Sequence, residues 1–373
     1  MKRILSITVA AVICTAAFAQ TQTIYSFTPV RDIPVTSVKD QARTGTCWCF
    51  ATISFLEAEL LRQGRGEYDL SEMFVVRKNY DVRIFDNYLR SGNGNINPGS
   101  IAHMATNAIA GNGIVPESVY CGINYDSPGH NHGELSAYLR GIADVSVKLK
   151  NLSPEYHELV ESLFDIYLGK VPETFSYNGK EYTPKSFAKM LGLDDLSDYV
   201  ELTSFSHHPF WQQVPLEVPD NWDHARLWNV PLEDMMRIID NALENGYTVA
   251  WDGDLTAGEF QHNRGIAICP NPEDFAEAVK LEKVYPERQV TQEMRQADFE
   301  HFITKDDHLM HLTGLFKDQN GGKFYKTKNS WGESNGEMKG YLYMSKAYLE
   351  MRTVSIMVHK DAIPRDIRKK LGL

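Results

Sequence analysis

The hydrophobic period changes along this chain, and that change restricts the fold more than any other feature. Over residues 47–63 apolar side chains recur at helical spacing (Phe50, Ile53, Leu56, Leu60), with Thr46 as the expected N-cap and Gly64 as the stop. Far downstream, residues 309–317 and 323–329 are strand-like runs joined by Asp-Gln-Asn-Gly-Gly, a turn composition suited to a hairpin, and residues 341–344 form a further short strand. Between them, helical patterns are expected at 100–110, 134–145, 154–168 and 231–244, with a strand at 247–251. Helices dominate early and strands late, so the fold class is α+β with the two halves largely segregated.

At 373 residues the chain exceeds one minimal domain, leaving two or three domains or one fold with a large insertion. Its 43% hydrophobic and 23% charged residues suit a protein that buries a large core, and exclude global disorder, a collagen-like repeat and a coiled coil. The first residues read as an export signal: Lys2 and Arg3 open it, a mostly apolar stretch follows, and Ala17-Phe18-Ala19 has the small-x-small pattern of a cleavage site. Mature protein would then start at Gln20 and reach the periplasm or the medium. The formal charge of −11, or −13 without Lys2 and Arg3, argues against broad binding to nucleic acid or anionic lipid. No later run approaches the length of a transmembrane helix. Cys14 falls in the leader, and Cys47, Cys49, Cys121 and Cys269 are too sparse for a disulfide framework.

The segment from Gln41 to Trp48 carries chemistry. A thiol in the first turn of a helix meets the positive end of the helix dipole and unpaired backbone N–H groups, and both favour the reactive thiolate. Gly45 permits a tight turn, so the Gln41 amide can return beside Cys47 and join its backbone N–H as a pair of donors to an oxyanion. Such a nucleophile also needs an imidazole to hold the ion pair and protonate the leaving amine. The late hairpin supplies one, because His308 opens its first strand and Asn329 closes its second, which brings both to one end of the sheet. Asn329 would fix the ring's tautomer while the other nitrogen faces sulfur. The Trp331 indole would shield the His–Asn bond from water.

These residues resemble the papain superfamily of cysteine peptidases. The marks are Gln41 with Cys47-Trp48, then Leu70-Ser71-Glu72, then Asn329-Ser330-Trp331-Gly332 followed by Gly340-Tyr341. The resemblance implies a papain-like two-lobed fold with Cys47 as nucleophile, His308 as general base and acid, Asn329 as orienter, Gln41 as oxyanion donor and Trp331 as support. It also places Gly99, Ser100 and Trp48 at the substrate. Papain-like enzymes set the His about 130 to 150 residues after the Cys; here 308 − 47 is 261, so an insertion of roughly 110 residues is required. The runs from Leu168 to Phe175, from Asn112 to Pro116 and from Asp307 to Met310 are similar to the bleomycin hydrolase (aminopeptidase C) branch. The implied organisation is a signal peptide over 1–19, a helical lobe with the nucleophile over 20–125, a mainly helical insertion over 126–228, and a β lobe with His308, Asn329 and the tail over 229–373. Peptide substrates, an acyl-thioester intermediate and no cofactor follow from the resemblance, which also allows a homo-oligomer.

Two departures from that pattern bear on specificity. Members often present a Gly-Gly pair to the substrate's second residue, whereas Gly99-Ser100 adds a side chain here. Bleomycin hydrolases usually carry a longer C-terminal arm whose terminal carboxylate lies in the cleft and holds the substrate's α-amine; this chain stops soon after Ile363-Pro364. A tail in the cleft would favour aminopeptidase action, and a tail packed elsewhere would favour an endopeptidase. A non-catalytic peptide-binding protein is the alternative from another class.

Other residues carry ordinary readings. Cys49, Cys121 and Cys269 are read as small apolar fillers. On a strand His308 and His311 point to opposite faces and cannot share a metal, while His130, His132, His207 and His208 read as surface or capping residues, so no metal site is expected. Glu57, Glu59, Arg62 and Arg65 read as the solvated face of the first helix.

Overall fold

The computed structural model describes residues 24–373, and the leader expected over 1–19 lies outside them. Strand β1 (Thr28–Asp32) precedes helices α1 (Cys47–Arg62), α2 (Glu72–Leu89) and α3 (His103–Asn112). Ser71 caps α2 by accepting the Phe74 N–H at 3.1 Å. Thr46 precedes α1 without a side-chain cap, its hydroxyl pairing instead with that of Thr44.

Helix α1 lies between the other helices and the sheet, and every residue from Trp48 to Leu60 is buried. Glu57 and Glu59, expected in solvent, are therefore 0% and 1% exposed. Partners make this tolerable: Glu57 accepts from the Leu70 N–H at 2.8 Å and Lys39 Nζ at 3.3 Å, and Arg62 reaches back to both Glu59 oxygens at 2.8 and 2.7 Å. The charge pattern was correct about polarity and misleading about location.

Residues 126–228 hold α4 (Gly133–Leu149), α5 (Glu155–Leu168) and α6 (Pro184–Leu191) together with five strands. Strands β2 (Phe175–Tyr177) and β3 (Lys180–Tyr182) form a separate hairpin, whereas β4 (Tyr199–Thr203), β5 (Gln212–Pro215) and β6 (Arg226–Asn229) join the main sheet. The helices extend the core built on α1 through Leu135, Val160, Phe164 and Phe187.

A half-buried ion triad ties α3 to β4 and to the loop before β6. His103, at the start of α3, places Nδ1 2.7 Å from Glu201 and Nε2 3.1 Å from Asp223. Burial alone would lower its pKa, but Glu201 and Asp223 outweigh that and raise it to about 10. Because the folded value lies above the ordinary one of about 6.5, the stability this imidazolium contributes is complete below that pH and is lost as pH rises through about 10. Urea unfolding at pH 6, 8 and 10 should show wild type and His103→Asn converging at the alkaline end; parallel curves would remove the triad from the stability account.

The remaining chain runs α7 (Leu232–Glu244), β7 (Val249–Gly253), β8 (Phe260–Gln261), β9 (Ile266–Ala267), α8 (Phe275–Ala278), α9 (Gln292–Glu300), β10 (His308–Lys317), β11 (Lys323–Lys328), β12 (Tyr341–Ser345), α10 (Lys346–Arg352), β13 (Thr353–His359) and α11 (Arg365–Leu371). Among the described residues eleven strands share one sheet, ten of them in the order β5-β6-β4-β13-β7-β10-β11-β12-β9-β8. Strand β1 pairs with residues 314–317 of β10, continuing the edge that β7 covers at residues 308–312. The α+β reading holds, but the sheet also recruits early strands from residues 28–32 and 199–229.

Helix α11 buries Ile367 and Leu371 in the apolar cluster that contains Met235 and Ile239 of α7, and Lys370 Nζ sits 4.1 Å from the Trp211 ring centre. Leu373 borders a pocket with His103, Glu201 and Trp228. The last residues therefore pack on the sheet half, outside the cleft that Cys47 faces. No helix of the described residues is long and apolar enough to cross a membrane.

Candidate active site

Cys47 opens α1, half-buried. The approach to it is tight, since a methyl at Gly45 would lie 2.7 Å from Pro98 Cγ, and the Trp48 indole N–H donates to the Pro98 carbonyl at 3.0 Å. These contacts clamp residues 98–100 against the helix start. As the first helical residue, Cys47 has an N–H with no partner inside the helix. Its sulfur faces the backbone N–H of Leu309, the residue after His308, so groups distant in sequence meet across the cleft.

His308 is buried, and its Nε2 lies 2.8 Å from Asn329 Oδ1, which leaves Nδ1 for the thiol. The register of β10 on β11 pairs His311 with Lys328, which brings His308 and Asn329 to the same end. The Trp331 ring covers the imidazole with centres 4.9 Å apart. Gln41 is tied to this segment: its backbone N–H donates to the Ser330 carbonyl at 2.8 Å, and Ser330 Oγ donates to its Oε1 at 2.6 Å. That bond orients the amide, whose Nε2 gives one hydrogen to the Thr44 carbonyl at 2.8 Å and keeps the other.

Two members of this network are absent from the sequence reading. His262 places Nδ1 3.2 Å from Asn329 Nδ2 and accepts from it, so the Asn329 amide is held at both ends. Its ring also packs edge-on to Trp331 with centres 4.9 Å apart. The second is the Ser330 hydroxyl. Neither has a local signal beyond the Asn-Ser-Trp-Gly run in which Ser330 stands.

Trp48 and Ser100, expected at the substrate, are 0% and 1% exposed and have their polar atoms committed inside. Ser100 Oγ accepts from Trp222 Nε1 at 3.1 Å and Arg83 Nη1 at 3.2 Å. Both brace the cleft wall from behind. Gly99 remains on the wall, its carbonyl accepting from Arg83 Nη1.

Desolvation governs the charges. Burial pushes the Cys47 thiol up to about 12; the Leu309 N–H opposes this, and Asp306, Asp252 and Asp220 add to it. Burial likewise takes His308 down to about 4, against the Asn329 hydrogen bond that raises it. Burial therefore works against the thiolate expected from the helix terminus, whose own effect is about 1 kcal/mol. Burial also raises Asp252 and takes Asp306 to about 7, Asp252 holding the proton that it shares with Asp306. Beside Asp306 and Asp307 a pocket of about 590 Å³ opens, walled by Val218, Pro219, Phe299 and Phe302.

The remaining candidates divide. Cys49 and Cys269 are buried as expected, but Cys121 is exposed, and all four described cysteines are free. His311 turns to Ser54 Oγ at 2.9 Å, away from His308. His132 is buried against Tyr80 Oη at 3.2 Å rather than at the surface. His207 and His208 converge on Glu217 at 3.2 and 2.6 Å.

The sequence profile of the Peptidase C1-like family matches residues 76–372. Aminopeptidase G of Lactobacillus delbrueckii subsp. lactis is 24% identical over 91% of this chain and 85% of its own length. Aminopeptidase C of Lactobacillus helveticus is 22% identical over 93% of this chain and 85% of its own. The crystal structure of pepw from Lactobacillus rhamnosis HN001 superposes with a TM-score of 0.71 at 20% identity, covering 92% of this chain and 84% of that one, a likeness of fold.

Proposed function

Since the chain belongs to the Peptidase C1-like family, we propose that it is an aminopeptidase that removes N-terminal residues from peptides through Cys47, His308 and Asn329. Family membership makes it a papain-like cysteine peptidase. The observation that carries the assignment of roles is the Cys47 sulfur against the backbone beside His308, whose Nε2 is held on Asn329 at 2.8 Å. The names of the similar proteins, aminopeptidases G and C, support cleavage from the amino end.

Cys47 sulfur attacks the carbonyl carbon of the scissile bond as its proton passes to His308 Nδ1. The developing oxyanion takes the Cys47 N–H and the free N–H of Gln41. Collapse breaks the C–N bond, His308 returns the proton to the departing amine, and an acyl-thioester remains. Water, giving a proton to His308, releases the acid and restores the thiol. Asn329 keeps the ring in the tautomer this needs, with His262 holding Asn329.

The full chain should hydrolyse a free-amine aminoacyl arylamide at least about 100-fold faster than its N-acetyl form, a difference of about 2.7 kcal/mol in transition-state binding. Equal rates would defeat the aminopeptidase reading. Export is proposed on the strength of residues 1–19, and N-terminal sequencing of the secreted fraction should begin at Gln20.

A further inference from the structure

An enzyme that recognises a chain's amino end needs an anion where the ammonium sits, and α11 packs outside the cleft. Asp220, in the loop between β5 and β6, stands on the cleft wall: a methyl group at Gly99 would overlap its carboxylate. Its own partners are few. Asn95 Nδ2 donates to Oδ1 at 3.4 Å, and Arg83 Nη2 stops 4.0 Å from the same oxygen. Among the described residues no other hydrogen bond or ion pair reaches it.

Asp252 and Asp306 complete the wall. Their charges and that of Asp220 all bear on the Cys47 sulfur, and Asp220 bears on each of the other two, so the three carboxyl groups share one cleft. Asp252 is 1% exposed and shares one proton with Asp306, so that pair satisfies itself and stands behind Asp220. Asp220 is the carboxylate on the wall whose oxygens Asn95 and Arg83 only partly occupy. A primary ammonium brings three N–H donors and a positive charge; a blocked amide brings one N–H and a carbonyl that the carboxylates repel.

We infer that Asp220, backed by Asp306 and Asp252, binds the free α-ammonium of the substrate and thereby limits cleavage to the first residue. The inference rests on the aminopeptidase reading and names the subsite that would enforce it. Asp220 occupies the wall at Gly99, where a residue preceding the cleaved one would otherwise lie. The bound cation also offsets the carboxylates, which add to the rise that burial gives the thiol, so a free-amine substrate eases proton transfer to His308 and a blocked one does not.

The full chain and its Asp220→Asn and Asp220→Glu variants would be compared on three arylamides: a free-amine aminoacyl compound, its N-acetyl form, and an N-acetyl-lysyl-aminoacyl compound whose ammonium is on the side chain. Asp220→Asn should raise KM for the free-amine compound at least tenfold and lower its kcat/KM at least tenfold more than that of the N-acetyl form, with Asp220→Glu restoring part of the ratio. Equal losses on both compounds would overturn the inference alone, whereas a wild type that cleaves the N-acetyl-lysyl compound best would overturn the aminopeptidase reading and the inference with it. A wild-type ratio of one between free and acetylated compounds would overturn the aminopeptidase reading and the inference with it.

Discussion

Cys47→Ala is expected to lower kcat/KM for a free-amine arylamide by about 10⁵-fold, leaving only what binding and the oxyanion donors contribute. Groups that act as one unit lose about as much singly as together, so His308→Ala should cost a similar factor and the double variant no more. Asn329→Ala acts only through the imidazole, and a loss of about 10²-fold is expected there. The pH profile follows from the burial of the imidazole. With His308 depressed to about 4 by burial, the ring stays available as a base through weakly acidic pH, and the rate should fall only as pH drops through about 4 and the ring charges before attack. Alkylation with iodoacetamide needs peptide mapping, because Cys121 is exposed and will react beside Cys47, whereas Cys49 and Cys269 are buried. More than a hundredth of wild-type activity in Cys47→Ala would place the nucleophile elsewhere.

What the amino-acid sequence discloses depends on whether a residue's partner is implied by period or order. Helix α7 and the β10–β11 hairpin appear in the sequence because one face of each repeats at a regular interval and turn residues bound them. Strand β13 does not, although it sits near the middle of the sheet. It is buried on both faces between β7 and β4 and follows α10 with no turn between them, so its Thr-Val-Ser-Ile-Met-Val run has no boundary to mark it as a separate element. Strand β4 lies within the segment expected to be mainly helical. In the site, Gln41, Cys47, His308 and Asn329 are legible through their order and spacing. Asp220, His262 and the Ser330 hydroxyl matter only through contacts that the tertiary fold creates, and Asp220 lies in a Pro-Asp-Asn stretch whose composition suggests nothing beyond a connection. Glu57 shows the reverse case, since a charge on a helix reads as a face in water while its partners are Lys39 and the Leu70 N–H.

Arg352→Met should lower the unfolding free energy by about 3–5 kcal/mol, the usual cost of stranding one member of a buried ion pair. Arg352 ends α10 at 2% exposure, with Nε 2.9 Å from Glu259 Oε2 and Nη1 2.8 Å from Asp298 and 3.0 Å from Thr304 Oγ1. Glu259 is equally buried, and its other cation, Arg288, stands 3.8 Å away. Methionine refills most of the volume, so the loss reports the uncompensated carboxylate rather than a cavity. Adding Glu259→Gln to Arg352→Met should therefore recover part of it, a sign that no independent pair of substitutions would give. Urea unfolding measures both. The same guanidinium holds α9 and Thr304 just before Asp306 and His308, so kcat on the free-amine arylamide should fall at temperatures where the variant is still folded. A stability loss below about 1 kcal/mol would mean that water reaches Glu259 and that the imidazole is positioned by the sheet alone.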